Sequence, residues 1–131
     1  MKYLLDTHCW LWWILEPENL GSKFKQIIGD PKNQIFLSAA STWEATIKAA
    51  MGRLSLPGGP KQFVEDTYSQ DGFLALPILP EHSVGVFDLP PLHKDPFDRL
   101  LIAQALYEGA TLCTVDPLVR QYSVPILNAS L

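Results

Sequence analysis

Short apolar runs alternate with longer amphipathic stretches along this chain. Apolar and β-branched residues that stand together between turn residues are typical of buried strands. On this basis the sequence predicts five strands, over residues 2–6, 34–38, 73–76, 110–115 and 125–127. The first of these strands ends on Asp6, and the fourth is followed directly by Asp116.

Helical spacing of apolar residues connects the predicted strands. It predicts helices over residues 20–28, 39–51, 61–69, 81–89 and 97–108. The last helix is the best defined, because Asp95 and Pro96 supply an N-cap and a first-turn proline, and Gly109 supplies a stop. Strands that alternate with helices favour a mostly parallel sheet covered on both faces. We therefore expect a single three-layer α/β domain over residues 1–131, with four to five strands.

Composition narrows the class of protein. The chain has 131 residues, of which 47% are hydrophobic and 18% charged, and this excludes a disordered chain. No apolar run approaches the ~20 residues that span a bilayer, and we expect no secretory signal. Two cysteines, Cys9 and Cys113, are too few for a disulfide scaffold, which favours a reduced, cytoplasmic setting. The net charge of −4 argues against nucleic-acid binding by charge alone but permits an acidic site neutralised by metal.

Four acidic residues are predicted to meet at one edge of the sheet. Open parallel sheets bind ligands beyond the carboxyl ends of their strands, where Asp6 and Asp116 lie. Glu44 and Asp98 lie near the starts of predicted helices, which begin at the same edge. Carboxylates that converge repel each other unless a cation neutralises them, and oxygen donors suit Mg²⁺ or Mn²⁺. We therefore take these four residues as a candidate metal and catalytic site.

Each acid also has a structural explanation. Glu44 has the spacing of a capping box, and Asp98 would complement a helix dipole. Asp116 precedes a proline and could simply begin a turn. For Asp6 we expect neither cap nor turn, so Asp6 is the strongest single indication of a metal site. The joint placement of all four acids favours that interpretation.

Four segments resemble the PIN-domain ribonucleases in order and spacing, and the VapC-type toxins of bacterial toxin–antitoxin pairs in particular. They are LLDTH at 4–8, SAASTWE at 38–44, HKDPFDRLLIAQA at 93–105 and TVD at 114–116. The third segment is the most specific. The resemblance implies that Asp6, Glu44, Asp98 and Asp116 occupy the family's acidic metal-binding positions. Thr114 matches a hydroxyl position of the family.

The resemblance also implies an activity, a cofactor and partners. It implies an endoribonuclease in which Mg²⁺, or Mn²⁺, activates water for attack on an RNA phosphodiester. It further implies a cognate antitoxin and a second copy of the chain. We expect Asp95 to cap a helix and His8 to pack locally. Single-stranded RNA is the expected substrate, and the basic residues near the motifs either contact its phosphates or form a solvated surface: Lys48, Arg53, Lys94 and Arg99.

Three tryptophans lie within one helical turn, at positions 10, 12 and 13. One face of a helix cannot bury all three, so they either pack on two sides or lie at a partner interface, which we favour.

Other functions remain in competition with the nuclease. A phospho-accepting receiver domain also gathers acids at strand ends, but it needs paired acids where Asp6 stands alone. A catalytically silent binding protein of the same fold is the third possibility.

Overall fold

A five-stranded parallel sheet forms the centre of the protein in the computed structural model, which describes all residues from Met1 to Leu131. Its strands lie in the order β3-β2-β1-β4-β5, and every neighbouring pair is parallel. The bounds of the strands are β1 Lys2–Leu5, β2 Gln34–Ser38, β3 Leu74–Leu76, β4 Thr111–Thr114 and β5 Ile126–Asn128. The five predicted strands are therefore all present, each within one or two residues of the predicted bounds.

Six α-helices flank the sheet: α1 Thr7–Leu15, α2 Ser22–Gly29, α3 Ala39–Ala50, α4 Pro60–Gln70, α5 Pro80–Gly85 and α6 Pro96–Glu108. The helix expected over 81–89 is shorter, because α5 gives way to a 3-10 turn over Val86–Asp88. Pro90 disfavours helical backbone at the residue before it, and Leu89 is accordingly extended. None of the helices combines the length and the apolar character needed to cross a membrane.

Side chains of the central strand alternate between two apolar clusters, one on each face of the sheet. Tyr3 and Leu5 join a cluster that includes residues of α1, α2 and α4. Leu4 points to the other face and joins a cluster that includes Leu101 of α6. A strand buried on both faces requires an almost continuous apolar run, which is the pattern of β1 in the sequence. The three-layer α/β fold is thereby confirmed.

Both cysteines are buried free thiols, as their apolar surroundings in the sequence predicted. Burial and the nearby Asp6 carboxyl raise the pKa of the Cys9 thiol and the pKa of the Cys113 thiol well above their usual value. Neutral thiols of this kind pack as small apolar side chains.

Candidate functional site

Asp6 directly follows β1 and is the N-cap of α1, at the carboxyl edge of the sheet. Its Oδ1 accepts a hydrogen bond from the backbone N–H of Cys9 at 2.8 Å. The expectation that Asp6 is not a helix cap is therefore wrong. Helix α1 begins at the residue after Asp6, so Asp6 ends the strand and caps the helix. Only 4% of the residue is exposed. This burial raises the pKa of its carboxyl, an effect that hydrogen bonds from Thr114 and Cys9 partly offset.

Glu44 lies in the second turn of α3 and does not form the capping box. The N-cap of α3 is Ser38, whose hydroxyl accepts from the N–H of Ala40 at 3.0 Å. Glu44 is buried, and both of its carboxylate oxygens have partners. Oε1 accepts from the Thr7 hydroxyl at 2.7 Å, and Oε2 pairs with Lys48 Nζ at 2.7 Å. Its negative charge is thus partly balanced within the protein.

Asp98 lies in the first turn of α6, which Asp95 caps as predicted. Asp95 Oδ1 accepts from the N–H groups of Phe97 and Asp98, at 2.8 Å and 3.0 Å. Burial and the negative charges of Asp95, Asp6 and Glu44 raise the pKa of the Asp98 carboxyl to about 7, against an opposing effect of His93. The fold therefore brings three of the four predicted acids into one electrostatic cluster.

Asp116 reaches the same place from the loop after β4. Its Oδ2 lies 3.1 Å from His93 Nε2, which is also 2.9 Å from Asp98 Oδ2. The three side chains place one metal-ligating atom each within 4.8 Å of one another. Asp116 Oδ1 also accepts from the N–H of Leu118 at 2.8 Å, so the turn role considered for Asp116 is real as well.

His93 belongs to this cluster, although the sequence predicted no role for it. It belongs to the same motif segment as Asp98, and its position two residues before the helix cap was the available signal. The contact with Asp116 joins residues 23 positions apart and depends on the packing of α6 beside β4. No local pattern predicts a contact of that kind.

The donor set fits a hard divalent cation. Asp6, Asp98 and Asp116 present carboxylate oxygens, which are the ligands that Mg²⁺ and Mn²⁺ prefer. The pKa of Asp98 is raised mainly by burial and then by the charges of Asp95 and Asp6, so a cation bound here would offset repulsion between the acids. Thr114 links two of these acids, because its hydroxyl accepts from the N–H of Asp116 at 3.0 Å and interacts with the Asp6 carboxyl.

The basic residues near the motifs have different roles in the structure. Arg99 Nη1 donates to the carbonyl of Pro90 at 2.9 Å and to the Tyr122 hydroxyl at 3.1 Å. Its guanidinium therefore braces the loop before α6, in place of the phosphate contact considered for it. Arg53 and Lys94 are exposed and form no ion pair.

The three tryptophans have three different environments. Trp10 is fully buried and donates from Nε1 to the Thr67 hydroxyl at 3.0 Å. Trp13 donates to Asp71 Oδ1 at 3.2 Å. Trp12 is half-buried beside His8, whose exposed ring packs on it as expected. Trp12 also lines a groove, called here the Trp12 groove, with His8, Leu11, Leu15, Glu16, Lys48, Arg53 and Leu54.

Known proteins share both the sequence pattern and the fold. The sequence matches the family model of the PIN domain over residues 3–124. It is 28% identical over 123 residues to ribonuclease VapC22 of Mycobacterium tuberculosis, with 93% of this chain and 92% of that protein covered. Two solved structures have a similar fold. VapBC2 from Rickettsia felis, bound to a DNA fragment from their promoter, has a TM-score of 0.75 at 16% identity and 98% coverage of both chains. VapBC-1 from nontypeable Haemophilus influenzae has a TM-score of 0.68 at 16% identity and 100% coverage of both chains.

Proposed function

The chain belongs to the PIN domain family, and from that premise we propose that it is a metal-dependent endoribonuclease, the toxin of a toxin–antitoxin pair. The observation that carries the proposal is the convergence of Asp98 with Asp116, and of the charges of Asp6 and Glu44, at the carboxyl edge of the sheet. The relative VapC22, named a ribonuclease, supports it. Membership of this family leaves the receiver-domain alternative without support. A catalytically silent PIN domain is the alternative that experiment must decide.

In the proposed site Asp6, Asp98 and Asp116 would hold a Mg²⁺ or Mn²⁺ ion, with Glu44 beside it. Bound there, the ion would supply a water of lowered pKa and would offset charge on the phosphate oxygens. The chain's own residues position the acids. The first turn of α1 fixes Asp6, the Asp95 cap fixes the start of α6 that carries Asp98, and Lys48 and Thr7 hold Glu44. No side chain has to serve as a nucleophile.

Single-stranded RNA is the proposed substrate. Its backbone can bend so that one phosphate enters a narrow acidic cleft, which a regular duplex cannot do as easily. Arg53 and Lys94 are exposed cations that form no ion pair and are available to contact phosphates. Lys48, which pairs with Glu44 and lines the Trp12 groove, lies between the acids and that groove.

The direct test is RNA cleavage by the purified chain, freed of any partner. We expect a labelled single-stranded RNA pool to be cut internally with Mg²⁺ or Mn²⁺ and to stay intact after exhaustive chelation. Restoring either ion should restore cleavage, which controls for damage by the chelator. Cleavage that persists in chelator would exclude the metal mechanism, and intact RNA under every condition would favour a silent PIN domain.

For the partners we propose that a segment of the antitoxin occupies the Trp12 groove and that the toxin also pairs with a second copy of itself. Leucines and Trp12 supply an apolar floor, and Lys48 and Arg53 supply positive charge at the rim. Exposed tryptophan surface of this kind is common in interface hot spots. An antitoxin segment that lies here would also cover the approach to Glu44.

Trp12→Ala is expected to weaken antitoxin binding by about 2 kcal/mol, roughly thirtyfold in Kd, the range of interface hot spots. Isothermal titration with the cognate antitoxin measures this change, and sedimentation of the toxin alone measures self-association. Trp13→Ala is the matched control, because Trp13 donates to Asp71 and lies outside the Trp12 groove. Equal losses of affinity in both variants would show that the effect is not specific to the Trp12 groove. A loss of stability without a loss of affinity would place Trp12 in the core instead.

A further inference from the structure

The ring of His93 is held with a hydrogen on Nε2. Its Nδ1 accepts a hydrogen bond from the backbone N–H of Asp95 at 3.2 Å, so Nδ1 carries a lone pair. In a neutral imidazole the other nitrogen then carries the hydrogen. That nitrogen, Nε2, lies 2.9 Å from Asp98 Oδ2 and 3.1 Å from Asp116 Oδ2. His93 therefore donates to Asp116 and holds its Nε2 in close contact with Asp98.

The loop before α6 fixes this position of His93. The backbone N–H of His93 donates to the Tyr122 hydroxyl at 2.9 Å. The same hydroxyl donates to the carbonyl of Pro90 at 2.8 Å and accepts from Arg99 Nη1 at 3.1 Å. Tyr122 thus connects both ends of the loop to α6. The ring is 13% exposed, which limits its freedom to turn away.

This arrangement is unsuited to a metal ligand. A histidine binds a cation through a nitrogen lone pair, and its second nitrogen then carries a hydrogen that is donated to an acceptor. Here a backbone N–H, itself a donor, faces the second nitrogen. Ligation through Nε2 would set two donors against each other at Nδ1.

We propose that His93 is a built-in competitor of the divalent cation, because its Nε2 donates to Asp116 Oδ2 and lies against Asp98 Oδ2, two oxygens that the cation needs. This inference rests on the proposed metal site and adds a control on it. Hydrogen bonds to charged groups are among the stronger ones in proteins, so the cation must displace a substantial interaction. His93 thereby lowers the affinity of the site for metal, and the site loads only when the cation is abundant. Tyr122 is a positioning residue that acts through His93.

The direction in which His93→Ala changes the affinity for Mn²⁺ separates a competitor from a ligand. We expect His93→Ala to bind Mn²⁺ at least about fivefold more tightly than wild type, because one strong hydrogen-bond donor is removed from the carboxylates. A ligand would give the opposite result, a loss of affinity, together with a loss of preference for Mn²⁺ over Mg²⁺, since imidazole favours transition metals. The measurement is isothermal titration of the full chain with MnCl₂ and then MgCl₂, in the absence of RNA and at one fixed pH.

Two further variants keep the test decisive. Asp88→Asn is the control, because Asp88 is an exposed acid that makes no hydrogen bond with Asp98 or Asp116 and does not line the Trp12 groove, so the affinity of this variant for Mn²⁺ should stay within about twofold of wild type. Tyr122→Phe keeps the aromatic ring but removes the hydroxyl that holds His93. Tyr122→Phe should bind Mn²⁺ about twofold more tightly than wild type, a smaller gain than that of His93→Ala. It also provides the test if His93→Ala fails to fold.

The outcomes also separate this inference from the proposed function. Tighter Mn²⁺ binding by His93→Ala and Tyr122→Phe supports the competitor. Weaker or unchanged binding in both variants, with normal binding by wild type, overturns the competitor and leaves the metal site standing. If wild type, His93→Ala and Tyr122→Phe all fail to bind Mn²⁺ and Mg²⁺, the metal site falls and the competitor falls with it.

Discussion

Asp6→Asn is expected to abolish metal-dependent RNA cleavage, by at least about 1000-fold, while the fold stays intact. The substitution removes the negative charge of a buried, proposed metal ligand, and each 1.36 kcal/mol lost from transition-state stabilisation costs about tenfold in rate. The fold should tolerate it, because asparagine caps helices about as well as aspartate and can keep the 2.8 Å bond to the Cys9 N–H. Initial rates on a defined single-stranded RNA, beside circular dichroism melts, measure both effects.

Two companion variants separate charge from structure. Asp6→Ala should also be inactive, but it should additionally lose about 1 kcal/mol in the free energy of unfolding, because the cap is gone. Asp88→Asn changes an exposed acid that accepts no side-chain hydrogen bond, so it should cleave and melt like wild type. A folded Asp6→Asn protein with near-normal turnover would show that the site lies elsewhere.

The three central strands, β1, β2 and β4, were predictable from sequence because most of their residues are buried, which leaves short apolar runs bounded by turn residues. The edge strands β3 and β5 are more exposed but keep short apolar runs, so all five predicted strands are present. Helix α1 was not among the predicted helices. Residues 7–15 are apolar on nearly every side, so they lack the polar face from which a helix is predicted. The helix also follows β1 across the single residue Asp6, which is why its cap role was missed.

The acids of the candidate site were predictable, but their partners were not. Parallel topology places the ends of β1 and β4 at one edge of the sheet, and with them Asp6 and Asp116; the structure adds that these two strands are neighbours. The pair of Glu44 with Lys48 follows helical spacing, four residues apart, and could have been proposed. The contacts of His93 with Asp116 and of Arg99 with Tyr122 join distant segments. Their existence depends on how α6 and its preceding loop pack, which no periodicity encodes.

Asp98 is an acid whose charged form the fold disfavours. Burial and neighbouring acids raise the pKa of its carboxyl from 3.8 to about 7. Between those two values the folded state keeps a proton that the unfolded state releases. Stability therefore falls as the pH rises through this range, and it stays low above pH 7. Asp116 is a less clear probe of the same repulsion, because its Oδ1 also accepts from the N–H of Leu118 and supports a turn.

Asp98→Asn should consequently melt at a higher temperature than wild type at pH 8 in chelating buffer. Each pKa unit corresponds to about 1.4 kcal/mol, and partial exposure of the side chain leaves a gain on the order of 1–2 kcal/mol in the free energy of unfolding. That corresponds to a rise in Tm of roughly 3–10 °C. The gain should shrink towards pH 4, where the wild-type carboxyl is protonated when folded.

Added Mg²⁺ or Mn²⁺ should raise the Tm of wild type, because a ligand that binds only the native state stabilises it. The same ions should raise the Tm of Asp98→Asn much less. Scanning calorimetry of both proteins, with Asp88→Asn as the control, measures these changes. A clear loss of stability in Asp98→Asn without metal, together with no response of wild type to either ion, would make the acids structural and contradict the nuclease.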